Sequence, residues 1–275
     1  MLQKRKVVVT GLGVLAPNGN TTSEYWKALT AGKSGIGPIE SFDASDLSVR
    51  IAGELKDFDP QSFFDRKELR KLDPFTIYHL VSSEEAIKNS GIDLDKTDGD
   101  RIGVIIGTGI GGIQTLENEH GVFSERGQRR VSPFFVPRFI PNIASGNLAI
   151  KFGLRGPNHT VISACASGTD AIGCAMRTIQ YGDADVMITG GTEASITGLT
   201  ISGFGNIKAL STRNDDPTAA SRPFDAERDG FVLGEGAAAL VLEEEEHAKR
   251  RNALILAELA GYGATDDAFH ITQPS

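Results

Sequence analysis

Residues 161–191, VISACASGTDAIGCAMRTIQYGDADVMITGG, decide the fold of this chain. An apolar run leads into small residues and Cys165, and a helical pattern begins shortly afterwards. One face of the predicted helix is apolar, at Ile172, Met176 and Ile179. Gly182 is typical of a helix end, and the next apolar run, 185–189, predicts a buried strand. The stretch therefore predicts a strand, a sharp turn, a helix and a second strand.

Cys165 is predicted to lie in that turn, at the positive end of the helix dipole. Backbone N–H groups at such a position favour a thiolate over a thiol and stabilise developing negative charge. The small neighbours Ala164, Ala166 and Gly168 let a substrate approach closely. These features indicate an activated nucleophile, although a small buried thiol fits the local pattern too. Cys174, on another side of the predicted helix and amid apolar residues, is interpreted as structural.

Composition limits the possible functions. The 275 residues include 28 Lys and Arg against 36 Asp and Glu, a net charge of −8, which argues against nucleic acid as a partner. The two cysteines, nine positions apart along the predicted turn and helix, are too far apart to pair, and no zinc spacing occurs. No run reaches the roughly 18 apolar residues of a membrane span. We therefore expect a cytoplasmic protein without membrane association.

Apolar strand patterns alternate with helical patterns along the chain. Buried strands are predicted at 6–10, 101–106 and 236–242, and a long helix at 74–89. This alternation predicts an α/β fold with a mostly parallel sheet. A boundary near Asn252 divides the chain into a domain at 1–252 and the start of another unit at 253–275.

Two further patterns are ambiguous on residues alone. The glycine-rich segments at 11–19 and 107–112 lack the spacing of nucleotide-binding loops, so we expect no nucleotide site. A basic cluster is formed by Arg66, Lys67, Arg70 and Lys71. In an acidic chain such a cluster is either a solvated helix face or a docking patch for an acidic partner.

Ordered motifs along almost the whole chain show a family resemblance. They are VVVTGLGVLAPNG at 7–19, IGTGIGG at 106–112, SPFFVPRFIPN at 132–142, GLRGPN at 153–158, SACASG at 163–168, GDADVMITGGTEA at 182–194, ALSTRNDDPTAASRPFDAERDGFVLGEGA at 209–237, and EEHAKRRNA at 245–253. With these motifs the chain resembles the β-ketoacyl-[acyl-carrier-protein] synthases, elongating condensing enzymes of thiolase-like fold. It looks most similar to the type II synthases of bacterial fatty-acid synthesis.

The resemblance implies a fold and a set of functional residues. The complete family has a layered αβαβα architecture, of which this chain would hold the N-terminal half and the start of the second. Cys165 would be the acyl-accepting nucleophile, with its own N–H as one oxyanion donor, and Ile110 and Phe204 would line the acyl pocket. The residues that would dock the acyl carrier protein are Arg66, Arg70, Lys71 and Lys208. This match favours the docking interpretation of the basic cluster.

The implied reaction is a decarboxylative Claisen condensation of malonyl-carrier protein with a Cys-bound acyl group in fatty-acid elongation. It would need no cofactor and no metal, and the family implies a homodimer. The chain departs from the family pattern, because segments with two catalytic histidines, a lysine and a Gly-Phe-Gly-Gly loop have no match here. A fragment without condensing activity on its own is therefore the alternative, and we expect no condensation by these 275 residues alone.

Two other enzyme classes remain open at this point. A polyketide-type ketosynthase shares the same motifs, although Cys165 argues against the chain-length-factor subclass, which lacks the nucleophile. A cysteine hydrolase would present its nucleophile in a Gly-x-Cys-x-Gly turn, and here Ser163 replaces the first glycine.

Overall fold

A six-stranded sheet forms the centre of the molecule, which the computed structural model describes over residues 4–270. The strands are β1 (Val7–Leu15), β2 (Gly37–Pro38), β3 (Ile51–Ala52), β4 (Ile102–Gly107), β5 (Asn158–Val161), β6 (Val186–Glu193), β7 (Gly236–Glu244) and β8 (Ala257–Glu258). The order across the large sheet is β5-β4-β6-β7-β1-β8, whereas β2 and β3 pair separately.

The sheet is mixed, so the expectation of a mostly parallel sheet is wrong. β4 runs parallel to β5 and β6. β7 runs antiparallel to both β6 and β1, and β8 is antiparallel to β1. These strand directions could not be predicted from the sequence. A strand covered on both faces has a continuous apolar sequence whether its neighbours run parallel or antiparallel to it.

Helices cover both faces of this sheet. They are α1 (Thr22–Thr30), α2 (Arg66–Leu69), α3 (Pro74–Ser90), α4 (Ile113–Arg126), α5 (Phe135–Phe139), α6 (Ile143–Phe152), α7 (Ser167–Tyr181), α8 (Gly198–Asn206) and α9 (Glu245–Arg250). Alternate strand residues point to opposite faces, so Val104 and Ile106 pack in the core under α3 and α6, whereas Ile105 packs in the core under α7. The two cores hold the strand ends around Cys165 between rigid layers.

The long helix α3 confirms the prediction at 74–89. The Asp73 side chain accepts a hydrogen bond from the Phe75 N–H at 3.2 Å, Pro74 occupies the first turn, and Gly91 ends the helix in a left-handed conformation. The helix lies close against β1, where a Cβ on Gly13 would come within 1.8 Å of the Ser82 carbonyl oxygen. β1 continues through its glycines to Leu15, and the missing Cβ at Gly13 is what lets α3 lie this close.

The segment after α9 is less regular than predicted. The pattern predicts a strand across residues 253–260, but only Ala257 and Glu258 pair, with Val9 and Val8 of β1. Over residues 4–270, no helix is both long and apolar enough to cross a bilayer. The division of the chain near Asn252 stays a prediction, and residues 271–275 lie outside the described part of the chain.

His79 lies inside the core on α3. Its side chain is fully buried, with Nδ1 3.3 Å from Ser83 Oγ and with Nε2 lacking a hydrogen-bond partner among the described residues. Burial disfavours the charged imidazolium and lowers the pKa of His79 to about 3. In the unfolded chain His79 therefore binds a proton near pH 6.5, whereas in the folded chain it binds one only near pH 3.

We expect acid to weaken the fold through His79. The free energy of unfolding should fall by up to about 1.4 kcal/mol for each pH unit below about 6.5, and this contribution should be constant at higher pH. His79→Leu should remove that part of the slope, whereas His120→Leu on the exposed face of α4 should keep it. Denaturant titrations at about pH 7 and about pH 5 measure the difference. A wild-type slope in the His79→Leu protein would contradict this expectation.

Candidate active site around Cys165

Cys165 lies in a short 3₁₀ turn, Ala164–Ala166, between the end of β5 and the start of α7. The predicted strand–turn–helix–strand order at 161–191 is confirmed, with β5 starting a little earlier than its apolar run and β6 continuing further to Glu193. The Cys165 side chain is exposed, at the N-terminal end of a helix whose dipole favours negative charge there. The sequence thus places the thiol where a substrate can reach it.

Hydrogen bonds fix the turn in an uncommon conformation. Ala164 adopts a left-handed backbone with φ of 52°, which costs a residue with a Cβ roughly 1 kcal/mol. The Ser167 hydroxyl accepts the Ser163 N–H at 2.9 Å and donates to the Ala164 carbonyl at 2.7 Å. These bonds offset the backbone strain and hold Cys165 in place.

A second set of contacts links the turn to the chain after β8. The Ser163 hydroxyl donates to Asp170 on α7, and the Tyr262 hydroxyl donates to the other oxygen of Asp170 at 2.6 Å. The Tyr262 ring also lies 4.9 Å from the Arg177 guanidinium. Sequence reasoning missed these residues, since nothing in the pattern around Tyr262 indicates a contact so far away along the chain.

An apolar cavity of about 650 Å³ opens beside Cys165. Ile110 and Phe204 line it together with Cys165, so the structure brings the predicted nucleophile and both predicted pocket residues to one place. Phe231, which the sequence did not single out, lines it too, with its ring 5.4 Å from that of Phe204 in an edge-to-face arrangement. The cavity has the size and character of a site for an alkyl chain.

Two half-buried carboxylates, Glu193 and Glu235, also line this cavity, and neither was predicted. Glu235 accepts hydrogen bonds from the Leu55 N–H at 2.9 Å and the Tyr78 hydroxyl at 3.1 Å. Burial raises the pKa of Glu235, against the opposing effect of these donors. Through these two hydrogen bonds Glu235 connects its own segment of the cavity wall to Leu55 and to Tyr78.

The predicted docking residues occupy two places. Arg66 begins α2, and Arg70 and Lys71 follow directly after it; all three side chains are exposed. Lys71 Nζ lies 5.8 Å from the ring centre of Phe134. Lys208 is exposed after α8, in the wall of a second cavity of about 910 Å³ that Phe231 shares with the Cys165 cavity. The structure thus groups three of the four cations and places Lys208 beside the candidate active site.

Cys174 lies on α7, where its half-buried side chain packs against the core beneath that helix. Within residues 4–270, no three His, Cys, Asp or Glu side chains converge as metal ligands.

Comparison with known families decides the class. The family described as Beta-ketoacyl synthase, N-terminal domain, matches residues 4–248. The chain belongs to this family. This confirms the resemblance seen in the sequence motifs and the thiolase-like fold. It also favours a condensing enzyme over a cysteine hydrolase as the interpretation of the turn at Cys165.

Individual relatives of this β-ketoacyl synthase chain agree. The 3-oxoacyl-[acyl-carrier-protein] synthase 2 of Coxiella burnetii is 51% identical over 99% of this chain and 66% of its own length. A solved β-ketoacyl synthase from Burkholderia phymatum superposes with a TM-score of 0.89 at 36% identity, over 99% of this chain and 67% of its own. A type II PKS ketosynthase in complex with its acyl-carrier protein gives a TM-score of 0.76 at 30% identity, over 94% and 67%. The chain spans 66% of the curated relative's length.

Proposed function

We propose that this chain carries the acyl-accepting part of a β-ketoacyl-[acyl-carrier-protein] synthase of fatty-acid elongation. The observation that supports it most is the exposed Cys165 thiol at a helix N-terminus beside an apolar cavity lined by Ile110 and Phe204. A relative more than half identical is named 3-oxoacyl-[acyl-carrier-protein] synthase 2, whereas identity to the polyketide ketosynthase is 30%. These values favour fatty-acid elongation over a polyketide-type reaction.

The first half-reaction would use the turn directly. The Cys165 thiolate attacks the thioester carbonyl of an acyl-carrier protein, a carbon–sulfur bond forms, and the carrier's thiolate leaves and takes up a proton. The N–H groups at the start of α7 would stabilise the oxyanion of the tetrahedral intermediate. The alkyl chain would lie in the apolar cavity, where Ile110 and Phe204 exclude water.

The second half-reaction joins two carbons to that acyl group. Malonyl-carrier protein loses CO₂, and the resulting carbanion attacks the acyl-cysteine carbonyl, which releases the Cys165 thiolate. Decarboxylation needs hydrogen-bond donors for the enolate oxygen. The family's histidines and lysine, which would supply those donors, have no counterpart in these motifs.

The partner we infer is an acyl carrier protein, docked on Arg66, Arg70, Lys71 and Lys208. Three exposed cations at one short helix in a chain of net charge −8 fit an acidic partner. A homodimer and a cytoplasmic setting remain proposals that rest on the family resemblance.

Incubation with acyl-carrier protein should add one acyl group to the chain, observed by intact-protein mass spectrometry. Reversing three charges, Arg66→Glu with Arg70→Glu and Lys71→Glu, should slow this transfer by about 10- to 100-fold. Acylation by a small acyl-pantetheine thioester should not change, because that donor does not use the patch. A control with the same charge change, Lys27→Glu with Lys33→Glu and Lys88→Glu, should transfer at the wild-type rate. No acylation of the wild type would refute the proposed function, and equal slowing with both donors would refute the docking patch.

A further inference from the structure

Glu193 lies under the loop that carries Ile110. It is the last residue of β6, and the parallel pairing of β6 with β4 sets Gly191 opposite Gly107. The loop 108–112 that follows β4 therefore passes beside the Glu193 side chain. Both Glu193 and Ile110 line the Cys165 cavity.

Donors of this loop surround the Glu193 carboxylate. It accepts the Gly109 N–H at 2.6 Å and the Thr108 hydroxyl at 3.3 Å. Burial raises the pKa of Glu193, while hydrogen bonds from the N–H groups of Gly109, Ile110 and Gly111 lower it. Successive N–H groups turned toward one anion form a nest, an arrangement that fixes the backbone around the charge. Ile110 is the middle residue of this nest.

The loop 108–112 packs tightly against the Glu193 carboxylate. A Cβ on Gly109 would come within 2.8 Å of a Glu193 carboxylate oxygen, so a larger residue there would displace the carboxylate from this position. The Thr108 hydroxyl, which donates to Glu193, also accepts the Gly111 N–H at 3.2 Å. The loop is therefore closed around the carboxylate by its own hydrogen bonds.

We propose that Glu193 is a positioning residue, which holds the loop 108–112 so that the Ile110 side chain limits how long an alkyl chain the Cys165 cavity accepts. The inference rests on the proposed function for its substrate class, but the geometry concerns this chain alone. Glutamine in place of Glu193 has one accepting oxygen, and its NH₂ group would face N–H donors. The loop would then lose part of its anchor, and the Ile110 side chain would move more freely in the cavity.

Alkylation of Cys165 by N-alkyl maleimides tests this without a carrier protein. The thiolate adds to the maleimide double bond, and the cavity beside Cys165 offers the alkyl tail an apolar site. In a Cys174→Ala background, Glu193→Gln should raise the ratio of N-dodecyl to N-ethyl rate constants by about tenfold. Glu125→Gln, an exposed carboxylate on α4, should leave the ratio unchanged.

A double-variant cycle separates positioning from general loosening. If Glu193 acts through Ile110, Ile110→Ala should raise the ratio by itself, and adding Glu193→Gln should then change it by less than about twofold. Thr108→Val, which removes one donor to the carboxylate, should raise the ratio in the same direction and by less, and it serves if Glu193→Gln fails to fold. An unchanged ratio in Glu193→Gln and Thr108→Val, or a full additional effect in the Ile110→Ala background, would overturn the proposal. Since no acyl transfer is involved, these outcomes do not depend on whether acyl-carrier protein acylates the chain.

Discussion

Cys165→Ala should abolish transfer of an acyl group to this chain. The methyl side chain cannot form a thioester, and the described structure offers no second exposed thiol near the cavity. We expect the rate of acyl-enzyme formation from acyl-carrier protein to fall by at least about a thousandfold. Intact-protein mass spectrometry after a timed incubation measures it directly, since each transferred acyl group adds its own mass.

Cys174→Ala is the matched control for this variant. Its thiol lies half-buried on the core side of α7, away from the turn, so acylation should continue at nearly the wild-type rate. Both variants remove one sulfur atom, and thermal unfolding would show whether either loses its fold. Acylation that persists in Cys165→Ala would disprove the assignment of the nucleophile.

Arg251→Met should be the most destabilising of the charge substitutions. Glu243 on β7 has a fully buried side chain, whose oxygens accept hydrogen bonds from Arg251 Nε at 2.9 Å, from His247 Nδ1 at 2.7 Å and from the Thr10 hydroxyl. Removing the guanidinium leaves a buried carboxylate without its main counter-charge. Breaking a buried pair in this way costs about 3–5 kcal/mol in the free energy of unfolding, measured by denaturant titration.

The pH dependence of this loss follows from Glu243. Burial alone would raise the pKa of its carboxyl, but hydrogen bonds from Arg251, His247 and Thr10 outweigh burial and hold the pKa at about 2, below the ordinary 4.5. The stabilisation is therefore complete above about pH 4.5 and is lost as the pH falls toward 2. The difference between wild type and Arg251→Met should shrink over the same range.

An exposed pair provides the control for Arg251→Met. Arg155 and Asp100 form an ion pair with side chains 64% and 66% exposed, so Arg155→Met should cost less than about 1 kcal/mol. Replacing both partners of the buried pair, as Glu243→Gln with Arg251→Met, should recover part of the loss because no unpaired charge remains. Equal losses in Arg251→Met and Arg155→Met would show that the buried pair contributes nothing beyond a surface contact.

Local signals in the sequence predicted well those features whose cause is also local. The long helix predicted at 74–89 is present as α3, which begins at Pro74 and is followed by Gly91. The order of strand, turn and helix around Cys165 follows from hydrophobic period and small residues alone. In both cases the determining contacts lie within a few positions of one another.

Features set by distant contacts were not predictable in this way. Gly13 looks like a strand terminator until α3 is seen to lie against it. In the sequence Glu193 is not distinguished from other acidic residues. The N–H donors that surround its carboxylate belong to a loop some eighty residues earlier, at Gly109. Tyr262 meets Asp170 across a similar separation. Such contacts become visible only when the sheet order is known.

The position of β1 has a consequence for how the chain folds. β1 begins at Val7, yet its partner opposite that residue is Glu244 of β7, so the middle of the sheet joins the first strand to nearly the last. Bringing Val7 and Glu244 together costs conformational entropy before the strand pairing can stabilise the contact. Such a high contact order slows folding. During synthesis β1 cannot pair with β7 or β8 until those strands have left the ribosome, so we expect completion of the sheet to be a late event in folding.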